Sequence, residues 1–414
     1  MTPIPQALAL ADTLAAELSD PGTAWDTAPP GGRAWPQSLA GGAAGIALLH
    51  IERAHCGRGD WETVHTWMSS AAHGDLTAAA NAGLYMGAPA LAFVMNAAAQ
   101  DTSRYQRALK NLDDATIAVT RRHLAQAHAR VQSGAAPAMQ EFDVIRGLAG
   151  LGAHHRTRHP EHPVTADVLA YLVRLTEPRH QAQGRPAWWT GVAPNGEVSP
   201  NYPQGHGNFG MAHGIGSVLA LLSLALLDGP HVPGMREAAE RICAWTDEWL
   251  QHDATGPWWP GLITSDQVPS RVDPALRPRP SWCYGVAGTA RAQQLAGLAL
   301  ADDHRRQTAE TALLTTLQDP AQLDALTETG LCHGTAGLLQ ATWRMTTEAT
   351  STATTEALTA ELTSLTDRLA RQLGHLADRD PELLDGTAGC ALALHTVGTG
   401  TAPVSGWDTF LLLA

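Results

Sequence analysis

The chain has 414 residues, of which 44% are hydrophobic, 16% charged and 39 are glycine, and its formal charge is −13. This composition excludes a disordered chain, and an acidic balance without lysine- or arginine-rich runs excludes nucleic-acid binding, which needs concentrated positive charge. The length allows two or three ordinary domains or one large repeat-built fold.

The N-terminal twenty residues carry acidic groups and no basic stretch ahead of an apolar core, so no secretion signal is expected. The most apolar run, 218–227, is too short to cross a bilayer. Five cysteines, at 56, 243, 283, 332 and 390, include no CxxC pair. An odd count of this kind suits a reducing compartment and argues against a disulfide framework.

Residues 4–20 predict a first helix, closed by Asp20-Pro21-Gly22, and a Pro/Gly-rich loop follows as far as Trp35-Pro36. Then a pattern begins in which small residues lead into an almost wholly apolar helix. It occurs seven times: SLAGGAAGIALLH (38–50), NAGLYMGAPALAFVM (81–95), FDVIRGLAGLGAHH (142–155), NFGMAHGIGSVLALLSLALL (208–227), WCYGVAGTARAQQLAGLAL (282–300), LCHGTAGLLQATWRM (331–345) and LLDGTAGCALALH (383–395). Most gaps hold a second, more polar helical stretch, as at 101–132, 234–251, 302–317 and 347–376.

A repeat of this size predicts one helix pair per unit. The apolar helix must be covered on all sides and belongs to an inner layer, and its amphipathic partner belongs outside. Seven pairs can close into an all-α, double-layered α/α barrel with the seven glycine loops at one mouth. The plainer alternative is an open solenoid whose glycines only cap and pack helices. Residues 1–414 are expected to form one such domain, with insertions around 184–207 and 256–280. Both insertions carry paired tryptophans among Pro and Gly and predict loops or short strands, the tryptophans acting as anchors.

Two of the glycine loops carry metal-ligand chemistry. Trp282-Cys283-Tyr284-Gly285 is followed forty-nine residues later by Cys332-His333-Gly334. Two thiolates and an imidazole suit a borderline-soft ion such as zinc, with a fourth position left for water or substrate. Adjacent Cys332 and His333 would lie about 100° apart on a helix, so they are expected to converge on one ion only at a helix start or in the loop before it. Singly, Cys283 reads as a small buried hydrophobe and His333 as a satisfied polar group. Cys56, Cys243 and Cys390 lack comparable company, and Cys390 reads as core. His213, in Met211-Ala212-His213-Gly214, takes the matching place of the fourth repeat and could serve as acid or base. Asp143 heads a helix, where it is at least an N-cap. Arg279, four residues before Cys283, is either a solvent-facing loop residue or a stabiliser of a developing oxyanion.

WCYG at 282–285, LCHG at 331–334, AHGIG at 212–216 and the sevenfold pattern together closely resemble the lanthionine synthetase C family, over essentially the whole chain. The resemblance implies an α/α barrel with one zinc on Cys283, Cys332 and His333, and active-site residues at His213, Asp143, Arg279 and Tyr284. It implies a stand-alone cyclase that adds cysteine thiols to dehydroalanine and dehydrobutyrine, forming thioether rings. The implied partners are a dehydrated precursor peptide with a leader, a separate dehydratase and an exporter in a membrane-associated complex. The implied location is the cytoplasm, at the inner face of the membrane through those partners. Three rival readings are a thiol-adding or glutathione-transferring enzyme on the same zinc, a noncatalytic zinc-containing peptide-binding scaffold, and a sugar-processing toroid. The scaffold would need a fourth ligand from Cys56, His206 or His213. The sugar enzyme would need a second carboxylate opposite Asp143.

Overall fold

A computed structural model describes the chain except for residues 27–34, 101, 179–183, 194–195 and 377–378. The helices are α1 (Pro5–Glu17), α2 (Pro21–Asp26), α3 (Ala43–His55), α4 (Trp61–Ala71), α5 (Ala88–Ala99) and α6 (Gln106–Ser133). They continue as α7 (Met139–Phe142), α8 (Leu148–Arg158), α9 (Pro163–Leu175), α10 (Ile215–Asp228), α11 (Met235–Glu248) and α12 (Val286–Leu300). The last five are α13 (Asp303–Leu317), α14 (Pro320–Asp324), α15 (Thr335–Thr347), α16 (Thr352–His375) and α17 (Thr387–Thr399). Each of the seven glycine-led segments forms a helix: α3, α5, α8, α10, α12, α15 and α17. Each starts on a glycine N-cap, with no side chain supplying the cap.

The two helix types differ as their sequences demand. In α3 the first eleven residues are all buried, and in α10 residues 215–225 are. A helix buried around its whole circumference must be packed on every side. In α4, by contrast, Val64, Trp67, Met68 and Ala71 are buried, a single stripe at i, i+3, i+4 and i+7. Its Asp60 cap accepts from the Thr63 N–H.

The chain forms two compact units. The first comprises Met1–Thr116, Leu326–Glu348 and Thr352–Thr409. Within it the buried helices pack in the row α15, α17, α3, α5, and the amphipathic helices α16, α1 and α4 lie against α15, α17 and α3. The outer partner of α17 is thus the N-terminal helix, whose Ile4 N–H donates to Val397 O at 3.1 Å. The second unit comprises Ile117–Ala325, Ala349–Ser351 and Phe410–Ala414. Its row is α8, α10, α12, with α9, α11 and α13 as the respective outer partners.

Main-chain hydrogen bonds stitch the loops ahead of neighbouring buried helices together. In the first unit Cys332 N donates to Leu384 O (3.0 Å), Leu384 N to Ala40 O (2.9 Å) and Leu39 N to Tyr85 O (3.0 Å). In the second, Val144 N donates to Ala212 O (3.3 Å) and Ala212 N to Cys283 O (3.2 Å). Every acceptor is the second residue before a capping glycine. The same register recurs from loop to loop, so equivalent sequence positions become neighbours in space.

The short strands are β1 (His206–Asn208), β2 (Gln251–Asp253), β3 (Gly256–Trp258) and β4 (Leu262–Thr264). β1 pairs antiparallel with β4, and β2 with β3. Trp188, Trp258 and Trp259 are buried, and Trp188 meets Trp245 edge-on at 5.4 Å. These tryptophans anchor their loops. No helix among the described residues is long and apolar enough to cross a membrane.

Candidate metal centre and acid–base pair

The loops that carry the chemistry depend on glycine at two places. A side-chain carbon on Gly337, three residues after the capping Gly334, would lie 1.9 Å from Leu331 O, and one on Gly288 would lie 2.0 Å from Trp282 O. No larger residue fits between the first turn of α15 or α12 and the loop folded over it. That close fold-back holds Cys332 and Cys283 in place. Both cysteines are buried, whereas His333, His213 and Tyr284, each one residue before a capping glycine, are only half-buried. The loops therefore present alternate residues inward and outward.

The Cys283 Sγ lies 3.3 Å from Ser281 Oγ. Three groups of side chains among the described residues could each bring three ligand atoms within 4.8 Å of one another: Cys283, Cys332 and His333; His154, His155 and His159; and Glu52, Cys56 and His395. The first is the set expected from the sequence, and Cys332 and His333 stand in the turn before α15. In a tetrahedral zinc site neighbouring donor atoms stand about 3.4–3.8 Å apart. Two thiols and an imidazole within 4.8 Å need only small rotations to meet that, so the donor set fits zinc.

Cys56 corrects the expectation that it lacks company, since it stands with Glu52 and His395. That group is structural in character, because Glu52 accepts from Val404 N, Ser405 N and Ser405 Oγ at 2.5–2.9 Å. Burial, with the Glu52 charge beside it, pushes the Cys56 thiol up to about 11. Burial pushes Cys243 and Cys390 up to about 12. His206, in β1, donates through Nε2 to Val192 O (2.8 Å) and belongs to none of the three groups.

His213 Nδ1 lies 2.7 Å from Asp143 Oδ2. Asp143 is fully buried, and its Oδ1 accepts from Arg146 N (2.7 Å) and Gly147 N (2.9 Å). Gly147 rather than Asp143 is the N-cap of α8, and the carboxylate instead braces the loop entering α8 with one oxygen and fixes the histidine with the other. With Nδ1 as the donor to Asp143, Nε2 is the nitrogen that can exchange a proton with a substrate. The Tyr284 ring lies 6.5 Å from that of His213, tilted by 35°. Arg279 is half-buried, and its carbonyl accepts from Ser281 N at 2.7 Å.

Asn208 escaped sequence reasoning. Its Oδ1 accepts from Gly210 N (2.9 Å) and its Nδ2 donates to His213 O (3.4 Å), so it braces the loop that carries His213. Nothing in its spacing distinguishes it from a turn asparagine.

A family described as lanthionine synthetase C-like protein matches residues 33–412. The chain belongs to the lanthionine synthetase C-like family. Among curated relatives it is 26% identical over 208 residues to the nisin biosynthesis protein NisC of Lactococcus lactis subsp. lactis. That alignment covers 48% of each chain, so the match spans about half the length of this relative. The solved structure of nisin cyclase superposes with a TM-score of 0.78 at 20% identity, over 97% of this chain and 96% of that one. The likeness gives the fold, and it is the mostly helical α/α toroid that the sevenfold pattern predicts.

Proposed function

We propose that this lanthionine synthetase C-like chain is a peptide thioether cyclase, adding cysteine thiols to the dehydroalanine and dehydrobutyrine residues of a dehydrated precursor peptide. The observation that carries the reading is the convergence of two thiols and one imidazole within 4.8 Å, with Cys283 and Cys332 at equivalent loop positions. Cys283, Cys332 and His333 would hold one zinc ion. Bound there, zinc supplies the Lewis acidity that keeps the incoming peptide sulfur a thiolate at neutral pH.

The protein's own side chains carry the rest. The peptide sulfur forms a bond to the β-carbon of the dehydro residue, its thiol proton passes to solvent, and the electron pair of the C=C bond moves towards the carbonyl as an enolate. Arg279 steadies the enolate oxygen. His213 Nε2 then delivers a proton to the α-carbon, and the net change is addition of S–H across the double bond. Asp143 supports this by holding the Nδ1–H tautomer and fixing the plane of the ring. Tyr284 forms a wall beside His213. His213 as the base that takes the thiol proton is the second assignment of the same geometry.

Residues 1–414 are read as one cyclase domain with insertions around 184–207 and 256–280. Its partners are the precursor peptide with its leader, a separate dehydratase and an exporter at the inner face of the membrane. The enzyme works on the cytoplasmic side.

The test is to incubate the protein with a dehydrated precursor peptide and count peptide thiols before and after. Loss of thiols without gain of mass supports cyclisation. A mass gain of one glutathione, when that thiol is supplied, favours a thiol-transferring enzyme instead. Unchanged thiols and unchanged mass favour a binding scaffold.

A further inference from the structure

The second group of potential ligands lies away from the glycine loops, at the far end of a buried helix. His154 and His155 are fully buried in α8, and His159 is its half-buried C-cap, with its N–H donating to His155 O at 2.7 Å. His154 follows the capping Gly147 by seven residues and His159 by twelve, so about 10–18 Å of helix lies between these rings and the loop carrying Asp143. The three rings gather tightly. Centroids are 5.5 Å apart for His154 and His155, 5.8 Å for His155 and His159, and 6.3 Å for His154 and His159.

We propose that His154, His155 and His159 form a second metal site, taking a late first-row divalent ion such as zinc. Each offers one ring nitrogen, and the three nitrogens lie within 4.8 Å of one another. Nitrogen ligands about 2.0–2.1 Å from a tetrahedral ion stand about 3.4 Å apart, within reach of small ring rotations. An all-imidazole set suits zinc, cobalt, nickel and copper and disfavours magnesium and calcium. His155 Nε2 lies 2.8 Å from Thr120 Oγ1. That contact turns its Nδ1 towards the ion and supplies the outer hydrogen bond that metal-bound imidazoles usually make. The C-terminal end of α8 adds the negative pole of the helix dipole, which favours a cation there. Two arginines stand next to these ligands in sequence, Arg156 beside His155 and Arg158 beside His159, and Arg156 is committed to Asp228 (2.6 Å) and Ala414 O (2.8 Å). His162 spends Nδ1 on capping Val164 N at 3.1 Å. The ion would tie the end of α8 to the turn that leads into α9.

The proposal is independent of the cyclase reading and of the cysteine-containing set. The full chain is stripped of metal and titrated with cobalt(II), following both stoichiometry and thiolate-to-cobalt charge-transfer absorption. Wild type is expected to take two equivalents, only one of which produces charge transfer. His159→Ala takes one tight equivalent and keeps the charge transfer, and its second equivalent binds at least about 100-fold more weakly. His154→Gln, which preserves size and polarity, behaves alike. A Cys332→Ala/His333→Ala protein takes one equivalent without charge transfer and gains melting temperature from it, and His159→Ala in that background abolishes the gain. A second equivalent of unchanged affinity in both histidine variants overturns the proposal. So does a folded Cys332→Ala/His333→Ala protein that binds no cobalt.

Discussion

One carboxylate oxygen of Asp143 lies 2.7 Å from His213 Nδ1 while the other receives two main-chain N–H groups from the loop into α8. A single buried side chain therefore holds both the loop into α8 and the His213 imidazole, and substitutions can separate the two contacts.

Asp143→Asn keeps an oxygen for the two N–H groups but can present an amide N–H to His213, selecting the wrong tautomer. The expected result is a cyclisation rate lower by about 100- to 10,000-fold, with unchanged metal content. Asp143→Ala should lose the same rate and about 1–3 kcal/mol of stability as well, for the Arg146 and Gly147 N–H groups left without their acceptor. Rate measurements and denaturant unfolding on both variants check this. Equal stability losses in the two would contradict the division of labour between the oxygens.

His213→Ala should retain the charge-transfer signature of the cobalt protein and lose about 100- to 10,000-fold in rate. Its remaining rate should lose one limb of the wild-type pH profile. Wild-type turnover with an unaltered pH profile would remove the acid–base role and leave the metal assignment standing.

Glycine substitutions should split by environment. Gly337→Ala drives a methyl group against Leu331 O and should cost at least about 1–3 kcal/mol, disturbing the Cys332 loop. Gly374→Ala, in the last turn of α16 with nothing within 4 Å, should stabilise by about 0.5–1 kcal/mol. Melting temperatures of the two variants in opposite directions are the expected result.

Glu382 lies in the loop ahead of α17, whose Leu384 carbonyl receives the Cys332 N–H. Burial, reinforced by the charges of Asp380 and Asp385, raises its carboxyl from 4.5 to about 7. The folded chain then binds this proton more tightly than the unfolded chain does. Its contribution to stability is fully present below pH 4.5 and is lost as pH rises towards 7. Glu382→Gln should flatten that part of the stability–pH curve, read from melting temperature across the window. Identical slopes in the two proteins would contradict the assignment.

Much of this was legible in the chain. All seven glycine-led segments became largely buried helices, even α12, whose buried Arg291, Gln293 and Gln294 find hydrogen-bond partners. The outer helices expected at 101–132, 234–251, 302–317 and 347–376 appear as α6, α11, α13 and α16, with ends shifted by up to five residues. The first helix, expected over 4–20, stops at Glu17. The Cys332–His333 adjacency pointed to the loop ahead of α15, where the structure places both residues, although α8 shows that two longer side chains adjacent on a helix, His154 and His155, can also bring ligand atoms together. The rest depended on pairings between distant segments. Asn208 acts through Gly210 N and His213 O, contacts any turn asparagine might make. The β1–β4 pair joins segments over fifty residues apart, and α1 covers α17 across nearly the whole chain. His155 and His159 of α8 share a face at i, i+4, but His154 stands about 100° from His155, so the spacing alone does not gather all three.

The central claim is that Cys283, Cys332 and His333 share one ion, and cobalt substitution tests it most directly. The account predicts thiolate-to-cobalt charge transfer in wild type that is strongly reduced in both Cys283→Ala and Cys332→Ala. Absorption of full wild-type strength in either variant, or none in the wild-type protein, would contradict it.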